Sequence, residues 1–233
     1  MITLEFERER TPPIVVLFAT YLYLAGLAFS YRRVEAFLQN LRIRRSYEAV
    51  RQWVQRFGAS SKGYFETGNA KVAVIDETKI KIGGQWYWLW IAIEPYRRKV
   101  LAMALTQTRN GLIARSLLKD LRRRYGRVSI ITDGGGWYPW AARTLEMEHE
   151  VMSGGIRSYV ERLIETVKDR IRVFDKYFPY RCGNPSHVSN FLRLFVLYYN
   201  HARIHQTLGE PPDPVDGETE FERMCNLLGV VKS

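Results

Sequence analysis

Lys71-Val72-Ala73-Val74-Ile75-Asp76 decides how this chain is read, together with its echo, Val128-Ser129-Ile130-Ile131-Thr132-Asp133. Each is a short apolar run rich in β-branched residues and closed by an aspartate, the pattern of a buried strand. A buried strand tolerates a carboxylate where the chain leaves the sheet and water returns. Two such ends side by side bring like charges together, and without a counter-ion one carboxyl would stay protonated. A divalent cation removes that conflict, and an all-oxygen ligand set points to Mg²⁺ or Mn²⁺. Glu161 is the third carboxylate. It sits in an amphipathic stretch, Ser158 to Phe174, whose apolar stripe is Val160, Leu163, Ile164, Val167, Ile171 and Phe174. Glu161 lies off that stripe, and Lys168 and Arg172 share its side. Glu165, one turn on, is the competing ligand. Glu77 follows Asp76 directly and in an extended chain points to the opposite face.

Around the two aspartates the chain reads as alternating elements. Strands are expected at Val72–Ile75, Trp86–Ile93 and Lys99–Leu105, turned by Gly83-Gly84 and by Pro95-Tyr96-Arg97-Arg98. Trp86–Ile93 is apolar on both faces and is expected to be central. Asn110 caps a helix that Gly126 ends. Val128–Ile131 is a fourth strand, Trp137 to about Glu148 a helix, and His149–Met152 a short fifth strand. Three hairpin-ordered strands followed by helix, strand, helix, strand and helix give a mixed sheet flanked by helices. That order suggests an α/β, ribonuclease-H-like core. Gly134-Gly135-Gly136 reads as a turn that lets backbone or substrate come close. Trp137 and Tyr138 beside it are candidates for core packing or for stacking on an unpaired base.

Ahead of the sheet the chain is all helical. Pro12 and Pro13 open a first helix running to about Gly26. Ser30 caps a second, Tyr31 to about Leu41, and Ser46 a third, Tyr47 to Phe57. Helix, tight basic turn and helix form a helix-turn-helix pattern. From Ser30 to Lys62 there are eight basic residues against two acidic, a local +6 suited to phosphate contact. Arg44, Arg45, Arg51 and Arg56 are the candidate DNA contacts here. Gly58 to Gly68 reads as a linker. The expected division is therefore 1–62 for the DNA-binding helices, 70–210 for the core and 211–233 for a tail that is proline-rich, then weakly helical.

The 233 residues carry 35 Lys and Arg against 24 Asp and Glu, a net +11 that points to a polyanionic partner, with double-stranded DNA the first candidate. The two cysteines, Cys182 and Cys225, form no Cys-x-x-Cys pair, so neither a zinc site nor a disulfide framework is read. His201 and His205 are four apart, but Ala202 follows the first, not the Glu of a metalloprotease helix. No phosphate-binding loop with its Lys occurs. Ile14 to Phe29 is apolar but shorter than the ~20 residues a membrane span needs, so a buried helix and a cytoplasmic protein working at the nucleoid are expected.

The sequence resembles the DDE transposases of small prokaryotic insertion sequences, which have an integrase catalytic core. Val74-Ile75-Asp76-Glu77-Thr78 resembles the family's first Asp motif, Thr132-Asp133-Gly134 the second, and Tyr159-Val160-Glu161-Arg162, with Lys168 and Arg170 following, the Glu helix. Tyr198-Tyr199-Asn200-His201-Ala202-Arg203-Ile204-His205-Gln206-Thr207-Leu208-Gly209 resembles the family's C-terminal signature, which brings in His205 as a DNA contact. Three departures stand out. Glu161 follows Asp133 by 28 positions, fewer than is usual in the family. Ile204 replaces the usual Pro, and Tyr159 and Ser158 occupy positions where the family often has Asn. The resemblance implies two metal ions held by Asp76, Asp133 and Glu161, nicking at element ends, transfer of the 3′-OH into target DNA, and a homodimer or higher assembly. Two other readings fit the same residues: a helix-turn-helix regulator with an inactive core, and a ribonuclease-H-like nuclease that cuts without joining.

Overall fold

The computed structural model describes residues 10–27, 30–61, 67–151, 161–162, 165 and 184–229. Contacts divide the chain into two compact units. One comprises Met1–Tyr64 with Lys176–Phe178 and Ser186–Ser233, the other Phe65–Asp175 with Pro179–Pro185. The sequence placed 70–210 in a single core, whereas here residues from Ser186 onward group with the N-terminal helices.

The second unit is built on five strands: β1 (Val72–Ile82), β2 (Gln85–Ile93), β3 (Val100–Thr106), β4 (Ser129–Thr132) and β5 (His149–Val151). Their order is β3-β2-β1-β4-β5, so β1 is central and β2 lies one strand out. β1–β2 and β2–β3 are antiparallel; β1–β4 and β4–β5 are parallel. The expected ribonuclease-H-like mixed sheet is present. β1 is much longer than the four-residue run that marks it. Its pairing with β2 continues as far as Ile82↔Gln85, because alternation of Ile80 and Ile82 with lysines keeps one face buried.

Between β3 and β4 runs α4 (Gly111–Tyr125). It starts where Asn110 accepts a hydrogen bond from the Ile113 N–H at 3.1 Å and ends at Gly126, whose φ of +77° suits a residue without Cβ. α5 (Tyr138–Thr144) is shorter than expected, seven residues between β4 and β5. Leu117, Leu118 and Leu121 of α4 and Tyr138, Ala141 and Ala142 of α5 pack on Ala73, Ile75, Trp90, Ala92 and Leu101 of the sheet. One face of β1, the one carrying residues 73 and 75, is thus closed by helices.

The first unit contains α1 (Pro13–Leu24), α2 (Tyr31–Asn40), α3 (Tyr47–Ser60), α6 (Pro185–His201) and α7 (Glu220–Leu227). Ser30 and Ser46 cap α2 and α3 by accepting from the N–H groups of Arg33 and Ala49. Tyr23 of α1 stacks on Tyr31 of α2 at 4.2 Å and meets Phe191 of α6 edge-on at 5.9 Å. α7 is a defined helix, closed by a Thr219–Glu222 capping box. No described helix is long and apolar enough to cross a membrane; α1 has 12 residues.

α3 and α6 touch through backbone. A Cβ on Gly58 would lie 2.2 Å from the Asn190 carbonyl oxygen. Gly58→Ala raises intrinsic helix propensity by about 1 kcal/mol, yet the clash should win. We expect a net loss of roughly 1–3 kcal/mol, read as a lower midpoint in urea unfolding.

Candidate active site

The parallel β1–β4 register ends with Ile75 opposite Thr132. The next residue on each strand is an aspartate, so Asp76 and Asp133 stand side by side at the carboxyl end of β4. Asp133 is exposed and leaves the sheet, as the sequence suggested. Asp76 does not end its strand. It sits half-buried inside β1, paired with Ile91 of β2 on one side and facing the end of β4 on the other. A carboxylate in a central strand is tolerated here because β4 stops and opens that side.

Local hydrogen bonds hold both groups. The Glu77 N–H donates to Asp76 Oδ1 at 2.8 Å, and the Gly135 N–H donates to Asp133 Oδ1 at 3.0 Å. The Gly134 N–H donates to Thr132 Oγ1, which also lies 2.8 Å from His149 Nε2. Two glycines fit this turn for separate reasons. Gly134 has φ +88°, and a Cβ on Gly135 would strike the Trp137 indole at 2.6 Å.

Glu77 is the residue whose role the sequence did not reveal. It faces the helices, its side chain 1% exposed. The Tyr138 hydroxyl donates to Glu77 Oε2, and Arg109 lies 3.4 Å from Oε1. Arg109 in turn is sandwiched between the indoles of Trp88 and Trp137, its guanidinium 4.0 and 4.2 Å from their centres. Burial pushes the Glu77 carboxyl above the ordinary carboxylate range, and the charges of Asp133 and Asp76 push it the same way. The Tyr138 hydrogen bond and Arg109 pull against them. Through Tyr138, Glu77 ties the strand carrying Asp76 to the segment that follows Asp133. The available signal was the strand period, which put Glu77 on the face that the helices cover.

Glu161 is helical and its side chain is exposed, as is that of Glu165. Among the described residues, no group of three or more His, Cys, Asp or Glu side chains is arranged to hold a metal ion. Asp76 and Asp133 form a pair of hard oxygen donors, which fits Mg²⁺ or Mn²⁺. Lys168 and Arg172 lie outside the described residues, as does most of the stretch 158–174.

Of the other expected contacts, Arg44 is exposed beside the N-terminus of α3. Arg45 is occupied within its unit, bonding Thr11 Oγ1 at 2.6 Å and the carbonyls of Arg44 and Arg10. Arg51 and Arg56 are half-buried on α3, and Arg51 pairs with Glu48 of the same helix at 2.5 Å. His205 packs edge-on against Tyr199, ring centres 4.5 Å apart. The C-terminal signature around it does structural work. Asn200 and His201 are buried, Tyr198 donates to Glu220 at 2.7 Å, and His201 Nδ1 lies 2.6 Å from the Asp213 carbonyl.

Comparison with known proteins bears on the family and the fold. Residues 70–177 match the family model of a DDE domain. An uncharacterised protein of Methanocaldococcus jannaschii is 31% identical over 196 residues, covering 84% of this chain and 89% of its own. The transposase for insertion sequence element IS257 in transposon Tn4003 of Staphylococcus aureus is 29% identical over 115 residues, 48% of this chain and 51% of its own. Among solved structures, a chain of the simian T-cell lymphotropic virus intasome, solved with PP2A regulatory subunit B56 gamma, shares the fold with a TM-score of 0.51. It is 17% identical, over 83% of this chain and 72% of that one. The ribonuclease-H-like fold is thus shared with a chain of that intasome. The chain belongs to the DDE transposase family.

Replacing Tyr138 by Phe leaves the Glu77 carboxylate buried without its hydroxyl donor. A lost bond to a buried charged group costs about 1–3 kcal/mol, so Tyr138→Phe should lower the urea midpoint while leaving the far-ultraviolet circular dichroism unchanged.

Proposed function

We propose that this protein is a transposase that nicks DNA at the ends of an element and transfers the freed 3′-OH into target DNA. The observation that carries the proposal is the β1–β4 register, which sets Asp76 beside Asp133. Asp76, Asp133 and Glu161 would hold two Mg²⁺ or Mn²⁺ ions, supplying Lewis acidity toward a phosphodiester and acidifying a bound water. Asp133 is kept in place by the Gly135 N–H, and Asp76 by the Glu77 N–H. Gly134 and Gly136 carry no side chain, which leaves the rim beside Asp133 open to a DNA backbone.

In the first step water attacks a phosphorus and the P–O3′ bond breaks, leaving a 3′-OH and a 5′-phosphate. In the second, that 3′-OH attacks a target phosphodiester. One bond forms as one breaks, so joining needs no nucleotide cofactor and no covalent protein–DNA intermediate. Joining two ends together calls for a homodimer or larger assembly. Double-stranded DNA is the substrate, met by the basic helices with Arg44 at their turn and by Lys168 and Arg172 on the Glu161 stretch.

Strand transfer of a labelled element-end oligonucleotide into plasmid tests this reading. Asp76→Asn, Asp133→Asn and Glu161→Gln keep shape and remove charge. Each alone should abolish Mg²⁺-dependent nicking and joining, without additivity, because residues acting as a unit fail together. Glu165→Gln should retain activity. Full activity of Asp76→Asn or Asp133→Asn would discard the mechanism, and nicking without joining would make the protein a nuclease.

A separate measurement concerns binding. Arg44→Ala should lower the slope of log affinity against log salt on duplex DNA by ~0.9, the loss of one phosphate contact. Arg51→Ala, whose side chain is engaged by Glu48, should instead mainly lower the melting temperature. An unchanged slope for Arg44→Ala would move DNA contact elsewhere.

A further inference from the structure

Past Asp76, β1 continues beyond the end of β4, and Lys79–Ile82 pairs with Gln85–Trp88 of β2 as the end of a hairpin. Its two faces differ. Ile80, Ile82 and Tyr87 are buried on one. The other presents Lys79 and Lys81 opposite Trp88 and Trp86, the lysines exposed and Trp86 53% exposed.

These side chains interleave. Lys81 Nζ lies 5.7 Å from the centre of Trp86, and Lys79 Nζ lies 4.9 Å from Trp86 and 5.8 Å from Trp88. Arg109 then bridges Trp88 and Trp137. The result is a ladder of alternating cations and indoles from the hairpin tip to Trp137, four residues after Asp133. The carboxylate that meets the ladder is Glu77, which is buried and engaged by Arg109 and Tyr138. Among the described residues neither lysine makes an ion pair with a carboxylate, so the outer half of the ladder carries uncompensated positive charge beside an exposed indole.

We propose that this ladder binds an unpaired stretch of DNA strand. The inference rests on the nucleic-acid reading of the carboxylate site, which lies on the same strand. Positive charge suits phosphates, and an exposed indole suits any base face. A base inside a duplex is already stacked on both sides, so an indole platform selects unpaired nucleotides. Lys79 and Lys81 are two residues apart, about 7 Å along a strand, a spacing of the order of one nucleotide step. Cation–π contact with the lysines stabilises the hairpin, yet it leaves Trp86 53% exposed, and among the described residues neither ammonium group meets a carboxylate. Nicking and joining generate strand ends and gaps, which supply such a ligand next to Asp133.

The test is fluorescence anisotropy of the full chain in EDTA, using a short labelled single-stranded oligonucleotide of mixed sequence and the blunt duplex of the same sequence. Trp86→Ala should weaken single-strand binding about tenfold, the loss of one stacked base, with duplex binding unchanged. Trp86→Phe should recover most of the loss. The double variant Lys79→Gln, Lys81→Gln should reduce the single-strand salt slope by ~1.4, two contacts at ~0.7 each. Single-strand affinity unchanged in Trp86→Ala, or falling equally with duplex affinity, overturns the proposal. Should Trp86→Ala melt early, the lysine variant decides: an unaltered slope overturns it. If these binding results hold while Asp76→Asn still nicks DNA, the catalytic reading fails and the strand-binding site stands. If Asp76→Asn abolishes nicking while Trp86 and the lysines prove silent, the reverse is true.

Discussion

The parallel pairing of β1 with β4 is the constraint on which the site depends. In a parallel pair, residues advance together along both strands, so one register fixes every neighbour that follows. Ile75 opposite Thr132 therefore commits Asp76 to lie beside Asp133. Shifting β4 by one residue would also exchange its faces and turn Ile130, buried in the core, away from the helices. Burial of the apolar residues thus enforces the alignment of the carboxylates. The difference in strand length does the rest. β4 ends at Thr132 while β1 runs on to Ile82, and that step opens the side of Asp76 that a longer β4 would cover.

A central strand bearing adjacent carboxylates needs compensation. Taking a carboxylate out of water costs several kcal/mol unless hydrogen bonds and opposite charge offset it. Glu77 is the most buried of the group and has both, from Tyr138 and from Arg109. Arg109 is itself held between two indoles, an arrangement for which a planar guanidinium is better suited than an ammonium. Burial, and after it the charges of Asp133 and Asp76, push the Glu77 carboxyl the other way, toward its protonated form.

The helical unit shows a second use of family-like residues. The Tyr-Tyr-Asn-His-Ala-Arg stretch at 198–203 reads as a functional signature, yet its buried members fasten the tail to α6. Tyr21 and Tyr198 both bond Glu220 of α7, and Phe221 of the same helix packs on Phe18 and Tyr21 of α1. Gly58 lets α3 meet α6 backbone to backbone, and Arg51 is drawn into a pair with Glu48. Of the arginines marked by charge alone, Arg44 remains the exposed one of the four.

By itself the sequence determined what depends on nearby residues. Ser30, Ser46 and Asn110 start helices because their side chains reach N–H groups three positions on, and Gly126 stops one because it accepts a positive φ. The apolar runs before Asp76 and Asp133 marked β1 and β4, and the order of elements gave the ribonuclease-H-like core. Tertiary structure decided what depends on residues far apart in the chain. The extension of β1 through Asp76 required β2 as its partner, since alternation with lysine alone reads as weak strand. Burial of Glu77 required Tyr138, 61 positions away. The grouping of α6 with the first three helices, and the ladder from Lys81 to Trp137, arise from contacts across long separations. Local spacing fixes torsion angles and caps, whereas which faces meet is settled only when the whole apolar surface is buried at once.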